Sequence, residues 1–524
     1  MLFQAGMMAS NIKNPENRKL CDILILNGPN IKYISSDFNK ATEIYNEGKV
    51  ALKDAIPSLV KIPERLKNYK QRDRSLPIGK DSIVLDSVIF SGISKENLNL
   101  VKASSGLATG KKYTKDEIIK GINKAMGTAL FSDVDYSLVE KPKGTELFIN
   151  AKERSNHQVK GAIHYNNDQD AGLILNYTGR NILGNSSRSI ISVDIAKNPK
   201  IRLQQQNILG KNKKWWMRTE AFGSSYRQGL FLSGFKVDEV KYRFLKFGSQ
   251  LNRNINTLKS YVGIGIDYEN SRLKPTVPPE LVSQDLSLTK YEYKTLLLSA
   301  NFRYNNHESQ YFPTKGSNLE VTYKKSVFNN LEVNTTEADL IKVSGKLNNY
   351  HKFILNASTR LPITRKSTAI TGVTTAFVFE DSLDDDEYSY LDYGIGIQYF
   401  LGGSTLLARS DSFTVPGLKE GEALASQFTK LNFGLQYALH KKVFLTPHVD
   451  VVFFGTGSFS DYFENIGKTT SNWAETENTG LIISSGLTAS YNSILGPISV
   501  DASFVNGIDK VRFFVGVGYS FIAI

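Results

Sequence analysis

The chain has 524 residues and a formal net charge of +13, and 41% of its residues are hydrophobic. No apolar run approaches the ~18 residues of a transmembrane helix, and a single cysteine, Cys21, excludes an internal disulfide. Lysine and arginine are spread along the chain without a basic helix or an RNA-binding motif, so we expect no nucleic-acid partner. We expect no cofactor and no bound metal, because the six histidines form no ligand cluster.

Residues 1–70 have the pattern of part of an α/β domain. Residues 21–26 are a short apolar run that predicts a buried strand. Apolar residues then recur at helical spacing over residues 41–55, and Pro57 is predicted to end this helix. One strand and one helix cannot enclose a core, so this segment requires a partner domain. The charged and polar residues 61–80 are predicted to be a linker.

Residues 81–153 are predicted to form a compact α+β unit. The predicted elements, in order, are a strand at residues 83–90, a short helix at 94–101, a helix opened by the capping box of Thr114 and Glu117, and strands at 134–139 and 146–151. This unit carries no catalytic constellation. This unit either presents an edge strand to which a partner peptide can add, or serves as a rigid spacer. The sequence does not decide between these two roles.

From residue 157 to the end the chain shows strand patterns and almost no helix. In the last strand Val511, Phe513 and Val515 share one face, while Arg512 and Gly516 share the other. A soluble sandwich of these 368 residues would exceed the usual domain size. Many segments also end in Tyr or Phe, as interfacial girdles do. We therefore predict, for residues 157–524, a transmembrane antiparallel β-barrel of about 16 strands with apolar faces outward. Other alternating segments include Val262-Ile264-Ile266-Tyr268, Tyr393-Ile395-Ile397-Tyr399 and Leu431-Phe433-Leu435-Tyr437.

Three motifs in this region resemble barrels of the BamA superfamily. They are an early strand with an Asn-x-Leu-Gly turn at residues 176–184, a mid-barrel strand-turn motif at Phe312, Pro313, Thr314, Lys315 and Gly316, and a C-terminal assembly signal at Gly516, Tyr519 and Phe521. Residues 81–153 resemble a POTRA domain, the periplasmic module that precedes such barrels. The resemblance implies a barrel in the bacterial outer membrane, with the POTRA domain and the N-terminal segment in the periplasm. It implies outer-membrane lipid and the barrel assembly machinery as partners, and a homo-oligomer is left open.

The long inward-folded loop of that superfamily resembles residues 413–422 here, with Phe413, Pro416, Gly417 and Leu418 at its tip. No arginine precedes the glycine, a departure that counts against a translocase activity dependent on that tip. The loop instead resembles those of barrels joined to patatin-like phospholipases, and residues 1–70 resemble the end of a patatin domain.

The chemistry of a patatin domain is absent from the sequence. The chain has no Gly-x-Ser-x-Gly elbow and no Asp-Gly pair, so we expect it not to be an enzyme. We expect the catalytic part, together with a signal peptide, to lie upstream of Met1.

The resemblance yields three functional predictions. The leading one is an outer-membrane β-barrel whose periplasmic POTRA domain helps to anchor or export a patatin-type phospholipase domain. The first alternative is a BamA- or TamA-type factor for outer-membrane protein assembly or translocation, and the second is a passive porin. Arg303, Lys342 and Arg512 are candidates to line a lumen and set ion selectivity. Trp215 and Trp216 are predicted membrane-interface anchors.

Overall fold

The computed structural model divides the chain into two compact units, residues 1–80 and residues 81–524. The structure describes residues 14–27, 29, 32–33, 37–67, 69, 81–142, 144–232, 234–255, 259–275, 288–335, 342–389, 391, 398–403, 411–467, 473 and 479–519. Among these residues, no helix is both long enough and apolar enough to cross a bilayer.

The first unit is helical in its described part, with α1 (Asn14–Lys19), a 3₁₀ helix (Phe38–Lys40), α2 (Ala41–Val60) and α3 (Ile62–Leu66). The predicted strand at residues 21–26 is wrong, because the described part of this unit holds no second strand to complete a ladder. The predicted end of the helix at Pro57 is also wrong, since α2 continues to Val60 and forgoes one hydrogen bond at the proline.

Residues 82–153 form a four-stranded sheet with two helices. In chain order the elements are β1 (Ser82–Ser91), α4 (Lys95–Ser105), β2 (Lys112–Thr114), α5 (Lys115–Met126), β3 (Phe131–Lys141) and β4 (Gly144–Glu153), and the sheet order is β2-β1-β4-β3. The predicted capping box is confirmed, because Thr114 accepts from the backbone N–H of Glu117 and the Glu117 carboxylate accepts from that of Thr114. Leu85 of β1 packs with Ile118 and Ile122 of α5.

The described residues from 157 to 519 build a closed antiparallel barrel of sixteen strands, which confirms the predicted architecture. The strands are β5 (His157–Asn166), β6 (Asp170–Arg180), β7 (Ser187–Ala196), β8 (Lys200–Leu209), β9 (Trp215–Leu232), β10 (Phe235–Asn254), β11 (Ser260–Pro275), β12 (Leu288–Asn305), β13 (Gly316–Thr335), β14 (Lys342–Leu347), β15 (Tyr350–Pro362), β16 (Ser367–Glu380), β17 (Glu387–Tyr388), β18 (Tyr399–Leu401), β19 (Ser412–Phe413), β20 (Ala423–Ala425), β21 (Gln427–His440), β22 (Val443–Gly455), β23 (Thr479–Ser493), β24 (Gly496–Val505) and β25 (Arg512–Gly518). β14 and β15 lie end to end along β13 and make one barrel strand. The two-residue β17 pairs in parallel with β14, and β18 to β20 form a separate small sheet, so neither is among the sixteen antiparallel strands. A short helix, α6 (Phe459–Asn465), follows β22.

The outer surface of the barrel is apolar. On β11, Val262, Ile264 and Ile266 are exposed, and on β25 Phe513 is 65% exposed while its neighbour Arg512 is buried. The closed barrel, rather than a pair of packed sheets, contains these strands. The predicted outward orientation of the apolar faces is therefore confirmed for the described strands, and it suits a hydrocarbon surrounding.

The inner surface differs between the two ends of the barrel. We call the end where β5 begins the proximal end and the opposite end the distal end. On β10, Tyr242 and Phe244 point inward near the distal end, whereas Gln250 and Asn252 point inward near the proximal end. The inner face is thus polar at the proximal end and apolar at the distal end, because the distal side chains pack against a loop that folds into the barrel.

The position of Tyr399 in that loop shows that one predicted lipid-facing residue was assigned wrongly. Residues 392–397 lie outside the described residues, but Tyr399, predicted to face lipid, starts β18 inside the barrel and is fully buried. Its ring makes edge contacts with Phe413 and Phe428. Alternation alone does not separate a lipid-facing side chain from one in a packed interior, because both surroundings are apolar.

Candidate functional site at the seam and the inner loop

The barrel closes where its last strand meets its first, and we call this contact the seam. Gly518 of β25 has φ +90°, and a Cβ at this position would collide with the carbonyl oxygen of Ile163, so glycine permits this close approach. β10 and β11, by comparison, pair continuously over fifteen positions. Among the described residues, β25 pairs with β5 at three positions, Gly516 with Asn166, Val517 with Tyr165 and Gly518 with His164.

Asn167 extends the seam beyond the end of β5. Its side-chain amide donates to the carbonyl oxygen of Phe513 (3.2 Å) and accepts from the backbone N–H of Val515 (2.8 Å). One side chain therefore supplies both a donor and an acceptor to the edge of β25, at the two residues that flank Phe514. These two backbone groups of β25 stay satisfied although β5 has ended.

The inner loop comprises residues 398–426, of which 398–403 and 411–426 are described, and it enters the lumen from the distal end. It carries the small sheet, with β18 between β19 and β20. Val415 and Leu418 are fully buried and belong to the same apolar cluster as inward-facing residues of the barrel strands. The loop is therefore part of the packed interior rather than a surface connection.

The predicted tip residues lie together against the inner wall near the seam. The Pro416 carbonyl accepts a hydrogen bond from Oγ of Ser484 on β23 (2.6 Å). Gly417 has φ +84°, and a Cβ there would collide with a valine side chain of β24. Leu418 is buried, and Phe413 packs against an aromatic ring of β21. The close approach to the wall explains why a glycine occupies position 417.

Arg512 of β25 ties the loop to the last strand. Its guanidinium forms a bidentate ion pair with Glu422, with Nη2 2.9 Å from Oε1, and Nη1 also donates to the Gly417 carbonyl (3.1 Å). Nη2 donates to the Gly234 carbonyl in the β9–β10 turn (2.9 Å). Arg512 faces the lumen as predicted, but Glu422 compensates its buried charge. Arg512 of β25 thus lies beside Gly417, although no arginine precedes this glycine in the sequence of the loop.

A chain of buried polar side chains joins the loop to β5. Glu420 accepts from Nε2 of Gln169 (2.9 Å), and Oε1 of Gln169 accepts from Lys200 (3.2 Å). Lys200 pairs with Asp194 (2.9 Å), whose other carboxylate oxygen lies 2.8 Å from Nε2 of His164. His164 is one of the paired residues of the seam. The position of the loop and that of the first strand are therefore linked through hydrogen bonds.

Two carboxyl groups at this link hold their protons more tightly than usual. Burial raises the pKa of Glu420 to about 7. The hydrogen bond from Gln169 opposes this shift, and repulsion from Asp168 adds to it. Burial likewise raises the pKa of Asp168 to about 6, and the positive charge of Lys419 opposes the shift. Both groups titrate near neutral pH, so the charge of this contact changes in that range.

Other barrel strands hold the loop from further directions. Lys430 of β21 donates a hydrogen bond to the Thr414 carbonyl (2.7 Å), and Gln228 of β9 donates one to the Gly421 carbonyl (3.1 Å). Lys352 of β15 forms an ion pair with Asp411 (3.6 Å). The described part of the loop is thus anchored around the circumference of the barrel.

The predicted strand-turn motif lies at the proximal end, in the turn between β12 and β13. Tyr311 packs against Tyr519, just beyond β25, with ring centroids 5.7 Å apart. Phe312 stacks on Phe444 of β22, with centroids 4.7 Å apart. Because β13 lies across the sheet order from β25, this turn reaches over the proximal mouth. Two motifs that the sequence predicted separately therefore meet in space.

The remaining residues of these motifs have local roles. Thr314 and Lys315 contact Glu308 within the turn, and Pro313 and Gly316 lead the chain into β13. Gly516 lies in the seam, and Phe521 lies outside the described residues. Recognition of Gly516, Tyr519 and Phe521 by an assembly machinery stays a prediction.

Sequence reasoning did not identify Asn167, Gln169, Glu420 or Glu422 as seam and loop contacts. The two glutamates lie within the quoted stretch 413–422, where acidic residues beside apolar ones could have indicated ion pairs inside the lumen. Asn167 is an ordinary turn residue, and no sequence signal pairs it with a strand 346 positions away.

Comparison with known proteins provides evidence on the fold of this chain. No family model matches the chain, and no curated protein matches it. The structure is similar to BamA from Haemophilus ducreyi lacking POTRA domains 1–3, with a TM-score of 0.55 and 14% identity over 83% of this chain and 84% of that one. CdiB from Escherichia coli has a TM-score of 0.47 and 10% identity over 90% and 98% of the two chains, and CdiB from Acinetobacter baumannii 0.46 and 12% over 83% and 73%. The likeness to BamA establishes the barrel fold.

Proposed function

We propose that this chain is an outer-membrane protein that inserts or translocates polypeptides through an opening seam, with its proximal end in the periplasm. This is the assembly alternative raised by the sequence, and the BamA-like fold supports it. The observation that carries it is the seam, which the described residues pair at three positions. A backbone hydrogen bond contributes about 0.5–1.5 kcal/mol net, so this pairing stabilises closure by only a few kcal/mol.

Opening the seam would expose the edge of β5. A free strand edge presents unpaired N–H and C=O groups, to which an incoming strand can add. The inner loop contacts both sides of the seam, β25 through Arg512 and β5 through the chain that ends at His164. Displacement of the loop would therefore remove side-chain support from both strands at once.

A passive porin is less consistent with the contents of the barrel. The inner loop occupies the distal half of the lumen, and the β12–β13 turn reaches over the proximal mouth. A polar cavity of about 210 Å³ lies along β9 to β13. A porin requires a continuous aqueous channel through the barrel.

A disulfide across the seam tests the proposal. Tyr165→Cys and Val517→Cys, in a Cys21→Ser background, place two thiols at directly opposed positions, where the Cα spacing of about 4.5–5.5 Å suits a disulfide. We expect the oxidised protein, reconstituted in vesicles, to lose at least about tenfold in the rate of inserting an unfolded barrel substrate, and to regain the rate on reduction.

The matched control places the disulfide in a ladder that need not open. Ile163→Cys with Leu173→Cys joins opposed positions of β5 and β6. This variant should insert the substrate at the same rate when oxidised and when reduced. Undiminished insertion by the oxidised seam variant would contradict the proposal.

A second candidate function is to anchor or export a patatin-type phospholipase domain. It is favoured by the first unit, whose described residues leave Leu24, Tyr45 and Val60 exposed. Apolar surface of this kind is suited to contact with a partner domain. The chain itself is not expected to hydrolyse short-chain esters, because it has no nucleophile elbow.

An epitope with a protease site at the N-terminus distinguishes the candidates in intact cells. An exporter predicts cleavage from outside that the oxidised seam variant abolishes. A tether predicts protection in all variants and no insertion of unrelated barrels. An assembly factor predicts protection together with insertion that depends on the seam.

A further inference from the structure

A cavity of about 340 Å³ lies at the proximal end, where the α+β segment meets the barrel. One wall is formed by Leu100, Ala129 and Leu130 of the α+β segment, and the other by residues of β6 to β11. Ile208 of β8 packs against the apolar cluster that contains Leu100 and Leu130. We call this space the junction cavity.

Two arginines face each other in the junction cavity. Arg180 at the end of β6 and Arg188 at the start of β7 are directly opposed in the ladder. Directly opposed side chains share one face with Cβ atoms about 5 Å apart, and like charges there are destabilising. This face is the inner one, because Asn176 and Ser192 occupy the same register and are buried.

No described carboxylate compensates this pair. The guanidinium of Arg180 donates one hydrogen bond, to the Ala129 carbonyl (3.2 Å), and Nε of Arg188 has no hydrogen-bond partner among the described residues. Neither guanidinium forms an ion pair with a described acidic side chain, and the charged groups that act on them are other arginines. Glu153, which is bonded to the cavity-lining Asn97, accepts hydrogen bonds from Ser94 and Asn97 instead.

Further donors around the arginines also lack partners. Nε of Arg180, Nε of Arg188, and the hydroxyls of Ser186 and Ser187 are buried without a hydrogen bond in the described part of the chain. The two serines are each 5% exposed and line the junction cavity together with the cationic Lys213. Buried donors of this kind are costly unless a ligand satisfies them.

We propose that the junction cavity binds a phosphate group, either free or carried on a lipid headgroup. The planar guanidinium forks of the two arginines match phosphate oxygens in pairs, and the serine hydroxyls supply two more donors. The acceptor oxygens of a phosphate group, three on a monoester and four on the free anion, meet this donor set more fully than the two of a carboxylate do. The apolar wall at Leu100, Leu130 and Ile208 leaves room for the group that carries the phosphate. Bound phosphate would hold the α+β segment against the barrel, because Arg180 also contacts Ala129.

Titration of the detergent-solubilised full chain with inorganic phosphate tests this proposal. Calorimetry and the thermal midpoint should show binding and stabilisation of the wild type. Arg180→Gln with Arg188→Gln should weaken binding at least about tenfold. In phosphate-free buffer Arg188→Gln should raise the thermal midpoint, because it removes an uncompensated like charge, and this increase shows that the variant is folded.

The control is Arg272→Gln, which removes an arginine near the opposite, distal end of β11 and should leave phosphate binding unchanged. Dihexanoyl phosphatidic acid identifies the source: affinity at least about tenfold above that of inorganic phosphate supports a lipid headgroup, and equal affinity supports the free anion. Absence of phosphate binding, equal loss in Arg272→Gln, or binding of acetate as tight as that of phosphate would each overturn the proposal.

Discussion

The seam and the wall formed by β9 to β13 are built from the same kind of strand but are held closed by different interactions. The wall depends on its backbone, since β10 and β11 pair over fifteen positions, and ion pairs such as Lys246 with Asp267 (3.3 Å) lie along it. The described seam has three backbone pairs, and side chains from Asn167 and Arg512 supplement them. We therefore expect side-chain substitutions to matter far more at the seam than at the wall.

The largest effect is expected from Arg512→Gln. This change leaves the Glu422 carboxylate, whose side chain is 0% exposed, without its charged partner. Breaking a buried ion pair from one side costs about 3–5 kcal/mol. The urea midpoint of the detergent-solubilised chain should fall accordingly, and trypsin should cleave the inner loop faster.

Two further variants test whether this loss of stability is specific to the seam. Arg272→Gln at the wall should cost less than about 1 kcal/mol, because the partner Glu292 keeps Asn270 and Lys294 nearby. Adding Glu422→Gln to Arg512→Gln should recover part of the loss, since it removes the unpaired charge. Equal losses in Arg512→Gln and Arg272→Gln would remove the distinction between the two regions.

The next effect is expected from Gly518→Ala. A Cβ at this position meets the Ile163 carbonyl, and φ +90° is unfavourable for alanine, so the seam should lose about 1–3 kcal/mol. Hydrogen exchange of the Tyr165 and Val517 amides should accelerate. At the wall, a Cβ in Gly223→Ala of β9 meets only a methyl group of the Ile201 side chain, at 3.3 Å, and exchange along β9 should change little.

A smaller effect is expected from Asn167→Ala. It removes two hydrogen bonds to β25, each worth about 0.5–1.5 kcal/mol, and should accelerate hydrogen exchange at the Val515 amide. Asn167→Asp is the matched variant, because a carboxylate still accepts from Val515 but no longer donates to Phe513. Exchange at Val515 should then stay slower than in Asn167→Ala. If both variants exchange like the wild type, the side chain does not supplement the seam.

The barrel could be predicted from the sequence because its main signal is local. Alternation along β11 and β25 decides which side chains face outward, and turn residues decide where strands end. The capping box of Thr114 and Glu117 is equally local and is confirmed. The strand predicted at residues 21–26 failed for the converse reason, because a strand needs a partner that local composition does not supply.

The candidate site could be predicted only in part, because its contacts join distant segments. The tip residues Pro416 and Gly417 could be quoted from a motif, and they lie at the inner wall. Their link to Arg512 spans almost a hundred positions, and composition favoured a pore-lining role for that arginine. Trp216 shows the same limit, since it was predicted to anchor the membrane interface but points inward, where its Nε1 donates to Asn254 (3.0 Å).

The smallest effect is expected from pH, and it acts on the loop contact beside the seam. Burial raises the pKa of Glu420 to about 7, so the folded state keeps this proton to a higher pH than the unfolded chain does. Stability should therefore fall as pH rises from about 4.5 to about 7 and level off above that, with a loss of about 1 kcal/mol between pH 6 and pH 8.

Glu420→Gln isolates this contribution, because the amide keeps an acceptor for Gln169 but carries no charge at either pH. The pKa of Asp168, raised to about 6, acts in the same direction but mostly below this interval. The urea midpoint should therefore drop between pH 6 and pH 8 in the wild type and change much less in the variant. An equal drop in both proteins would mean that another group titrates, and that the link from the loop through Gln169 to β5 does not carry the pH dependence.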